Sequence, residues 1–286
     1  MLNSIDNLIR SSKENSIHEC YVDFSFETEL LLCEAINVER SWLKANPNYI
    51  LSDEQEIKFS KLKLRREKGE PIAYITGKRG FWTLNLKVNE SVLIPRPESE
   101  LIVELALDLP LTHKADVLDL GTGSGALALA LASERKGWTI TGTDVSNDAL
   151  KIAEFNKRNS RFDNVEFLES FWFEEFEKRS HSQSKFDLIV SNPPYLAKSD
   201  PHLEKGDLRF EPNIALIAAE NGKANLEKII FSSVKFLRNQ GWLLVEHGFD
   251  QAPIVRKFFG EAGFNEYRTV KDLNNHDRVT MGLLDF

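Results

Sequence analysis

The sequence predicts an α/β protein in two parts: a Rossmann-like domain on a mostly parallel seven-stranded sheet with an antiparallel edge, preceded by a small helical domain. Three observations carry this expectation. Beyond residue 97, strand-like and helix-like segments alternate, the pattern of a parallel sheet with helices on both faces. The segment before about residue 70 instead shows apolar residues at helical spacing and no such alternation. A glycine-rich loop joins the first strand of the alternating part directly to a helix.

Size and composition fit that picture. The 286 residues suffice for one large α/β domain and a smaller one. Hydrophobic content of 42% and charged content of 28% are ordinary for a globular chain. The net charge of −8 argues against a protein whose main task is to grip a phosphate backbone, so no sequence-specific nucleic-acid binding is expected. The two cysteines, Cys20 and Cys33, make no disulfide framework. His18 and Cys20 could be imagined as metal ligands, but no second pair follows and no metal is expected. Asp6, Arg10, Lys13 and Glu14 break up any signal-peptide core between Met1 and Ser16, and no apolar run reaches membrane-spanning length. The expectation is a reduced, cytoplasmic protein without a membrane segment, acting as a monomer.

Residues 1–71 are expected to form the helical domain. Phe26, Leu30, Leu31, Cys33 and Ile36 give an apolar stripe behind the possible caps Asp23 and Ser25. Ser52-Asp53-Glu54-Gln55 is a capping-box pattern that starts a polar helix running to about Lys68. That helix carries Lys61, Lys63, Arg65, Arg66 and Lys68, read as a solvated face or, more sharply, as a docking surface for an acidic or RNA-bound partner. Residues 72–96 are expected to form a β-hairpin linker. Ile72, Tyr74, Ile75, Phe81, Trp82, Leu84, Leu86, Val88 and Val92 are β-formers punctuated by Gly77 and Gly80. Pro97 is well placed as the first residue of the next helix, opening the domain of residues 97–286.

In that domain, strands are expected at Asp116–Leu120, Trp138–Asp144, Val165–Leu168, Phe186–Val190 and Trp242–Glu246, with Phe264–Val270 and Arg278–Leu284 pairing at one antiparallel edge. Helices are expected from Ala126 to Glu134, from Asn147 to Asn159 and from Lys223 to Leu237. The loop Gly121-Thr122-Gly123-Ser124-Gly125 follows the first of these strands. Its glycines admit positive φ and let a ligand approach closely. Asp144 closes the next strand, 23 positions beyond Gly121, where a carboxylate can accept hydrogen bonds from both hydroxyls of a ribose. Gly121, Gly123 and Ala126 also satisfy a dinucleotide fingerprint. The acid at Asp119 favours a cationic ligand such as S-adenosylmethionine over an anionic pyrophosphate.

Ser191-Asn192-Pro193-Pro194-Tyr195, at the end of a strand, is the most informative stretch. The prolines fix φ and hold their neighbours on an extended path. The Asn192 side-chain carbonyl and an adjacent backbone carbonyl can together hold both hydrogens of one –NH₂ group, while Tyr195 offers a ring to a planar substrate. An amide or aromatic amine has its lone pair spread into a π system, and no base can usefully deprotonate it at neutral pH. Catalysis must then come from aligning nitrogen, methyl carbon and sulfur, to which positioning contributes roughly 7–11 kcal/mol, and from dipoles that stabilise charge growing on nitrogen.

Taken together, Gly69-Glu70-Pro71-Ile72-Ala73-Tyr74, Phe81-Trp82, Leu93-Ile94-Pro95-Arg96-Pro97-Glu98, Asp119 to Gly125, Asn192 to Tyr195, Arg209-Phe210-Glu211-Pro212 and Glu246-His247-Gly248 resemble the HemK/PrmC family across nearly the whole chain. The resemblance implies a class I methyltransferase domain that uses S-adenosylmethionine to methylate the glutamine of the Gly-Gly-Gln loop in peptide-chain release factors. It implies that Gly121, Thr122, Gly123, Ser124 and Gly125 wrap the methionine part of the cofactor and that Asp144 holds the ribose. It places Trp172 beside the adenine, and Asn192, Pro193, Pro194 and Tyr195 on the substrate amide, with Asn192 bordering the cofactor as well. The N-terminal helices resemble the family's release-factor docking domain. A glutamine methyltransferase acting on a ribosomal protein would share fold, cofactor and motif. An adenine methyltransferase would call for a basic face, and a pure interaction module would not need an intact Asn192. His247, at a strand end, is expected to be structural; Arg96 is open between anchoring the linker and meeting substrate.

Overall fold

The computed structural model describes residues 4–14, 24–178 and 185–286. His18, Cys20 and the possible cap Asp23 lie outside them. The chain divides into two compact units, Met1–Gly77 with Glu204–Phe210, and Lys78–Leu203 with Glu211–Phe286.

The first unit is helical: α1 (Ile5–Glu14), α2 (Phe24–Ile36), α3 (Arg40–Ala45), α4 (Asp53–Glu67) and α5 (Ile72–Thr76). The capping box forms as the sequence indicates: Gln55 N donates to Ser52 Oγ at 3.3 Å, and Ser52 N donates to Gln55 Oε1 at 3.0 Å. Ile5, Leu31, Leu32, Ala35, Phe59 and Leu62 are among its core residues. The buried face of α2 is therefore rotated from the expected stripe, and Phe26 is 40% exposed with the Arg40 guanidinium over its ring. The cations of α4 are largely committed within the unit. Arg66 forks onto Glu27 at 2.8 and 2.9 Å, Arg65 meets Glu70, and Lys63 meets Glu67. The Arg66–Glu27 pair is mostly buried and ties α4 to α2.

Residues 72–76 are helical rather than extended. Pro71 sets the entry, Gly77 ends the turn at φ 69°, and Ala73, Tyr74 and Ile75 are buried. Burial and the Pro/Gly bracket outweigh the β-propensity of Ile72, Tyr74 and Ile75.

The second unit opens with the hairpin β1 (Lys78–Phe81) and β2 (Leu84–Lys87). Pro97 starts a 3₁₀ turn, Pro97–Ser99, that leads into α6 (Glu100–Asp108). Then follow β3 (Asp116–Leu120), α7 (Ala126–Glu134), β4 (Thr139–Asp144), α8 (Asn147–Ser160), β5 (Val165–Glu169), the short α9 (Glu174–Glu177) and β6 (Phe186–Ser191). The chain ends with α10 (Asn213–Leu216), α11 (Ala219–Gly222), α12 (Ala224–Ser233), β7 (Leu237–Glu246), α13 (Ala252–Ala262), β8 (Glu266–Lys271) and β9 (Asp277–Leu284). In α11, Glu220 and Asn221 take left-handed φ values of 53° and 57°, so it is a tight turn more than a helix.

The seven-stranded sheet has the order β5-β4-β3-β6-β7-β9-β8, parallel from β5 through β7 and antiparallel at β9 and β8. Its buried strand residues alternate between two cores. Val117, Leu188, Val190 and Leu244 pack with α6 and α7, while Leu118, Ile189, Leu243 and Val245 pack with α12 and α13. From β3 the chain winds outward through β4 to β5, then returns to β6 on the other side of β3. The carboxyl ends of β3 and β6 thus flank the topological switch point, where open α/β sheets bind ligands. Among the described residues, no helix is long and apolar enough to cross a membrane.

Candidate active site

Two hollows meet at the switch point. The larger has a volume of about 250 Å³ and is lined by Gly121, Gly123, Asp144, Trp172, Asn192 and Pro194, among others. The smaller, of about 50 Å³, is lined by Arg96, Ser99, Asp119, Thr122, Ser124 and again Asn192. Gly121, Gly123, Leu93 and Asn192 border both.

The glycine loop wraps this junction with Gly121, Gly123 and Gly125 at φ 72°, 56° and 83°. Among the described residues, a Cβ on Gly123 would meet no atom beyond its chain neighbours within 4 Å, whereas one on Gly121 would lie 3.5 Å from the Trp172 ring. Gly125 turns away from the hollows and sits against Phe167, Leu129 and Ala153. Thr122 Oγ1 donates to Asp119 at 2.6 Å, and Asn156 of α8 donates to the Ser124 carbonyl at 2.9 Å. The same Asn156 exchanges two hydrogen bonds with the backbone of Lys87, tying the hairpin to the loop.

Asp144 accepts from Gly123 N and Ser146 N, both at 2.9 Å, and burial raises its pKa against backbone donors at Ser146, Gly123 and Val145. Asp119 is fully buried. Desolvation pushes it up to about 7, opposed by hydrogen bonds from Thr122 and Ala128 N, with the Asp144 carboxylate adding to the rise. Among the described residues, one of its oxygens, Oδ1, meets no hydrogen-bond partner. The Trp172 indole nitrogen is also buried without a partner among the described residues, and Trp172 takes φ 53°. An unpaired carboxylate oxygen at the smaller hollow, an unpaired donor at the larger and Cβ-free backbone bordering both fit a ligand with a cationic end and an aromatic end.

After β6, the turn at Asn192 is clamped from several sides. Ser191 Oγ donates to the Leu120 carbonyl at 2.8 Å, Asn225 Nδ2 to the Pro194 carbonyl at 3.1 Å, and Gln251 Nε2 to the Tyr195 carbonyl at 3.0 Å. A Cβ on Gly222 would lie 2.1 Å from that last carbonyl, so the α11 turn packs directly onto the motif. Among the described residues, no hydrogen-bond donor reaches the Pro193 carbonyl. Pro193 is buried, and Tyr195 lines neither hollow; its hydroxyl donates to Glu246 at 3.2 Å, and burial and Glu246 raise its pKa far above the usual phenol value. The structure thus brings Gly121, Gly123, Asp144, Trp172, Asn192 and Pro194 to the larger hollow, and Thr122 and Ser124 to the smaller one.

Around the site, Ser99, Asn225 and Phe171 carry no local signal in the sequence, whereas Glu246, Arg96 and His247 do. Ser99 and Glu246 lie beneath Asn192, and Asn225 clamps the turn from α12. Phe171 lines the larger hollow beside Trp172, with Lys228 over its ring. Arg96 pairs with the buried Glu211, which also accepts from Ile94 N at 3.0 Å. That pairing anchors the linker while leaving Arg96 in the lining of the smaller hollow. Both His247 nitrogens are engaged, with the Gly248 carbonyl at 2.9 Å and Thr280 Oγ1 at 2.8 Å. A ring that must donate to a carbonyl at Nδ1 is neutral when Nε2 accepts from Thr280, and burial lowers its pKa accordingly. His247 is a structural tie between β7 and β9.

A family model described as a methyltransferase domain matches residues 111–265, and one described as a PrmC N-terminal domain matches residues 23–77. The chain is 44% identical over 279 residues to a release factor glutamine methyltransferase of Aliivibrio fischeri, covering 98% of this chain and 97% of that one. It is 47% identical to the Shewanella oneidensis enzyme of the same name, over 90% of this chain and 88% of the relative. Among solved structures, a methyltransferase from Pyrococcus furiosus aligns with a TM-score of 0.53 at 16% identity, over 79% of this chain and all of that one. The hMettl16 catalytic domain in complex with MAT2A 3′UTR hairpin 1 aligns with a TM-score of 0.57 at 15% identity, over 85% of each chain. These two likenesses show a shared fold and nothing further. Identity of this order over nearly its full length, with both family models in place, puts the chain in one family: it belongs to the release factor glutamine methyltransferases.

Proposed function

We propose that the protein transfers a methyl group from S-adenosylmethionine to the side-chain amide nitrogen of the Gly-Gly-Gln glutamine in peptide-chain release factors. The observation that carries the site assignment is that Asn192 lines both hollows at the junction with the glycine loop. An amide held by Asn192 then meets whatever Gly121, Gly123 and Asp144 hold.

When bound, the cofactor supplies a methyl carbon made electrophilic by the adjoining sulfonium. Asp144 holds the ribose hydroxyls with the acceptor capacity left beyond its two backbone donors. Trp172 packs on the adenine, and the unpaired Asp119 oxygen meets the cationic end. The loop from Gly121 to Gly125, with Thr122 and Ser124, closes around the methionine part. On the substrate side, the Asn192 side-chain oxygen and the Pro193 carbonyl accept the two hydrogens of the glutamine –NH₂. Those acceptors orient the nitrogen and stabilise the positive charge that develops on it as its bond to the methyl carbon forms and the carbon–sulfur bond breaks; the methylated nitrogen then gives up one proton to water. Pro194 keeps the turn extended, and Tyr195, its hydroxyl held by Glu246, braces the end of the turn from outside both hollows.

The helical residues 1–71 are assigned to docking of the release factor, supported by the match of residues 23–77 to the PrmC N-terminal domain. The reading places residues 72–96 as linker and residues 97–286 as the catalytic domain. It takes the protein to act in the cytoplasm as a monomer on a protein substrate; the net charge of −8 supports a protein rather than a nucleic acid.

The deciding experiment uses methyl-labelled cofactor, a purified release factor, and that factor with its Gly-Gly-Gln glutamine changed to alanine. The expected result is one methyl on that glutamine, located by peptide mass spectrometry and absent from the variant. Label on ribosomal protein or nucleic acid instead would overturn the substrate.

A further inference from the structure

Beneath the Asn192 turn, four side chains from three separate parts of the fold form a hydrogen-bonded relay. Asn192 Nδ2 donates to Ser99 Oγ at 2.9 Å, Ser99 Oγ donates to Glu246 Oε2 at 2.6 Å, and the Tyr195 hydroxyl donates to Glu246 Oε1 at 3.2 Å. Ser99 is 4% exposed and Glu246 1%, so water does not stand in for any of these partners.

The polarity of the relay follows from proton counting. A serine hydroxyl has one proton, and Ser99 gives it to the carboxylate. Toward Asn192 it can therefore only accept, and an amide –NH₂ is what an acceptor requires. The oxygen of that amide must then point the other way, into the hollows that Asn192 lines. We infer that Ser99 and Glu246 are positioning residues for methyl transfer: the relay holds the Asn192 amide with its oxygen, rather than its nearly isosteric nitrogen, toward the acceptor –NH₂. The inference rests on the methyl-transfer reading above. A reversed Asn192 sets one –NH₂ against another, and the acceptor nitrogen loses half of its grip.

The relay responds to protons as well. Glu246 is faced by Ser99, by Tyr195, by Arg278 of β9 and by Glu98 of the turn before α6, while Arg96 acts on Tyr195 and the neutral His247 follows in the chain. Burial pushes Glu246 up to about 7, with Ser99, Arg278 and Tyr195 holding it down and Glu98 adding to the rise. A proton on Oε2 makes Ser99 the acceptor at that end and the donor toward Asn192, which reverses the amide.

The test measures kcat, KM and cofactor affinity across about pH 5.5 to 9, at saturating cofactor, for the wild type, Ser99→Ala, Ser99→Thr and Glu246→Gln. Ser99→Ala is expected to lower kcat about tenfold, the scale of one lost hydrogen bond, with cofactor affinity unchanged. Ser99→Thr, which keeps the hydroxyl, is expected to restore most of that kcat. Wild-type kcat is expected to fall as pH drops through about 7, and that limb is expected to vanish in Ser99→Ala and in Glu246→Gln. An active wild type whose Ser99→Ala variant keeps its kcat, or keeps the acidic limb, overturns the inference alone. A wild type that methylates no release factor overturns the underlying reading and this inference with it.

Discussion

The backbone amide of Gly123 donates to Asp144 Oδ2 at 2.9 Å, so the residue assigned to the ribose also fixes the loop assigned to the methionine part. Its other oxygen is held by Ser146 N at 2.9 Å. Both neighbours are donors, and only a carboxylate offers an acceptor to each. Asparagine has one oxygen, and its –NH₂ would face a backbone N–H. Asp144→Asn and Asp144→Ala are therefore both expected to weaken cofactor binding by about 1–3 kcal/mol, roughly 5- to 150-fold. Calorimetric titration checks this; wild-type affinity in the asparagine variant would remove Asp144 from the site.

Asp119 makes cofactor binding pH-dependent. Burial raises its pKa to about 7 in the free protein, so below that value the carboxyl is largely protonated. A cation placed against it favours the ionised form, and binding must then release a proton. Affinity is expected to tighten as pH rises toward about 7 and to level off above it. The slope below approaches about tenfold per pH unit, the equivalent of 1.36 kcal/mol. Titrations near pH 6.5 in buffers of different ionisation enthalpy would read the released proton directly. Asp119→Asn should bind more weakly and lose most of that slope; an affinity in the wild type that is flat between about pH 6 and 8 would separate Asp119 from the cationic end.

What could be read from the sequence was whatever its own neighbours determine. The Ser52 capping box, the glycine loop after β3, Asp144 at the next strand end and the double-proline turn each complete their pattern within a short run of neighbouring elements. The α5 turn was misread because β-branched propensity is a weak prior and Ala73, Tyr74 and Ile75 are buried. The pairs that hold the site have no local signature. Ser99 and Asn192 are 93 residues apart, Ser99 and Glu246 are 147 apart, and Asn156 and Lys87 are 69 apart. The adjacency of β6 and β7 brings the first two pairs together and the packing of α8 on β2 the third, and no pattern of short period encodes either. Phe26 shows the same limit: its place at helical spacing was evident, but its 40% exposure depends on how α2 is rotated in its core.

Two loop glycines are expected to fail in different ways. Both lie in the left-handed region, where a Cβ costs about 1–2 kcal/mol. At Gly125 that Cβ would also lie 3.0 Å from Phe167, 3.1 Å from Leu129 and 3.3 Å from Ala153. Overpacking of this kind adds about 1–3 kcal/mol. At Gly123, among the described residues, no atom beyond its chain neighbours is within 4 Å, but the methyl would project beside the hollows the residue borders. Gly125→Ala should thus lose more stability in urea denaturation, and Gly123→Ala more cofactor affinity for a smaller loss of stability. Equal losses of both kinds in the two variants would contradict the division of roles.

Asn192 separates binding from chemistry. Asn192→Ala should leave cofactor affinity within about twofold while lowering kcat by about 10²–10³, the scale of one lost stabilising dipole. Near-normal turnover would discard the proposed amide geometry. Asn192→Asp is a sharper probe. It keeps an oxygen for the acceptor amide but sets a second carboxylate against Ser99, which has one proton to serve both it and Glu246. When Glu246 takes up a proton near pH 7, it can donate to Ser99, freeing Ser99 to donate to the aspartate. The activity of Asn192→Asp, though below wild type, should therefore rise as pH falls through about 7, where the wild type declines. Parallel pH profiles for the two proteins would mean that the Ser99 proton does not set the orientation of residue 192.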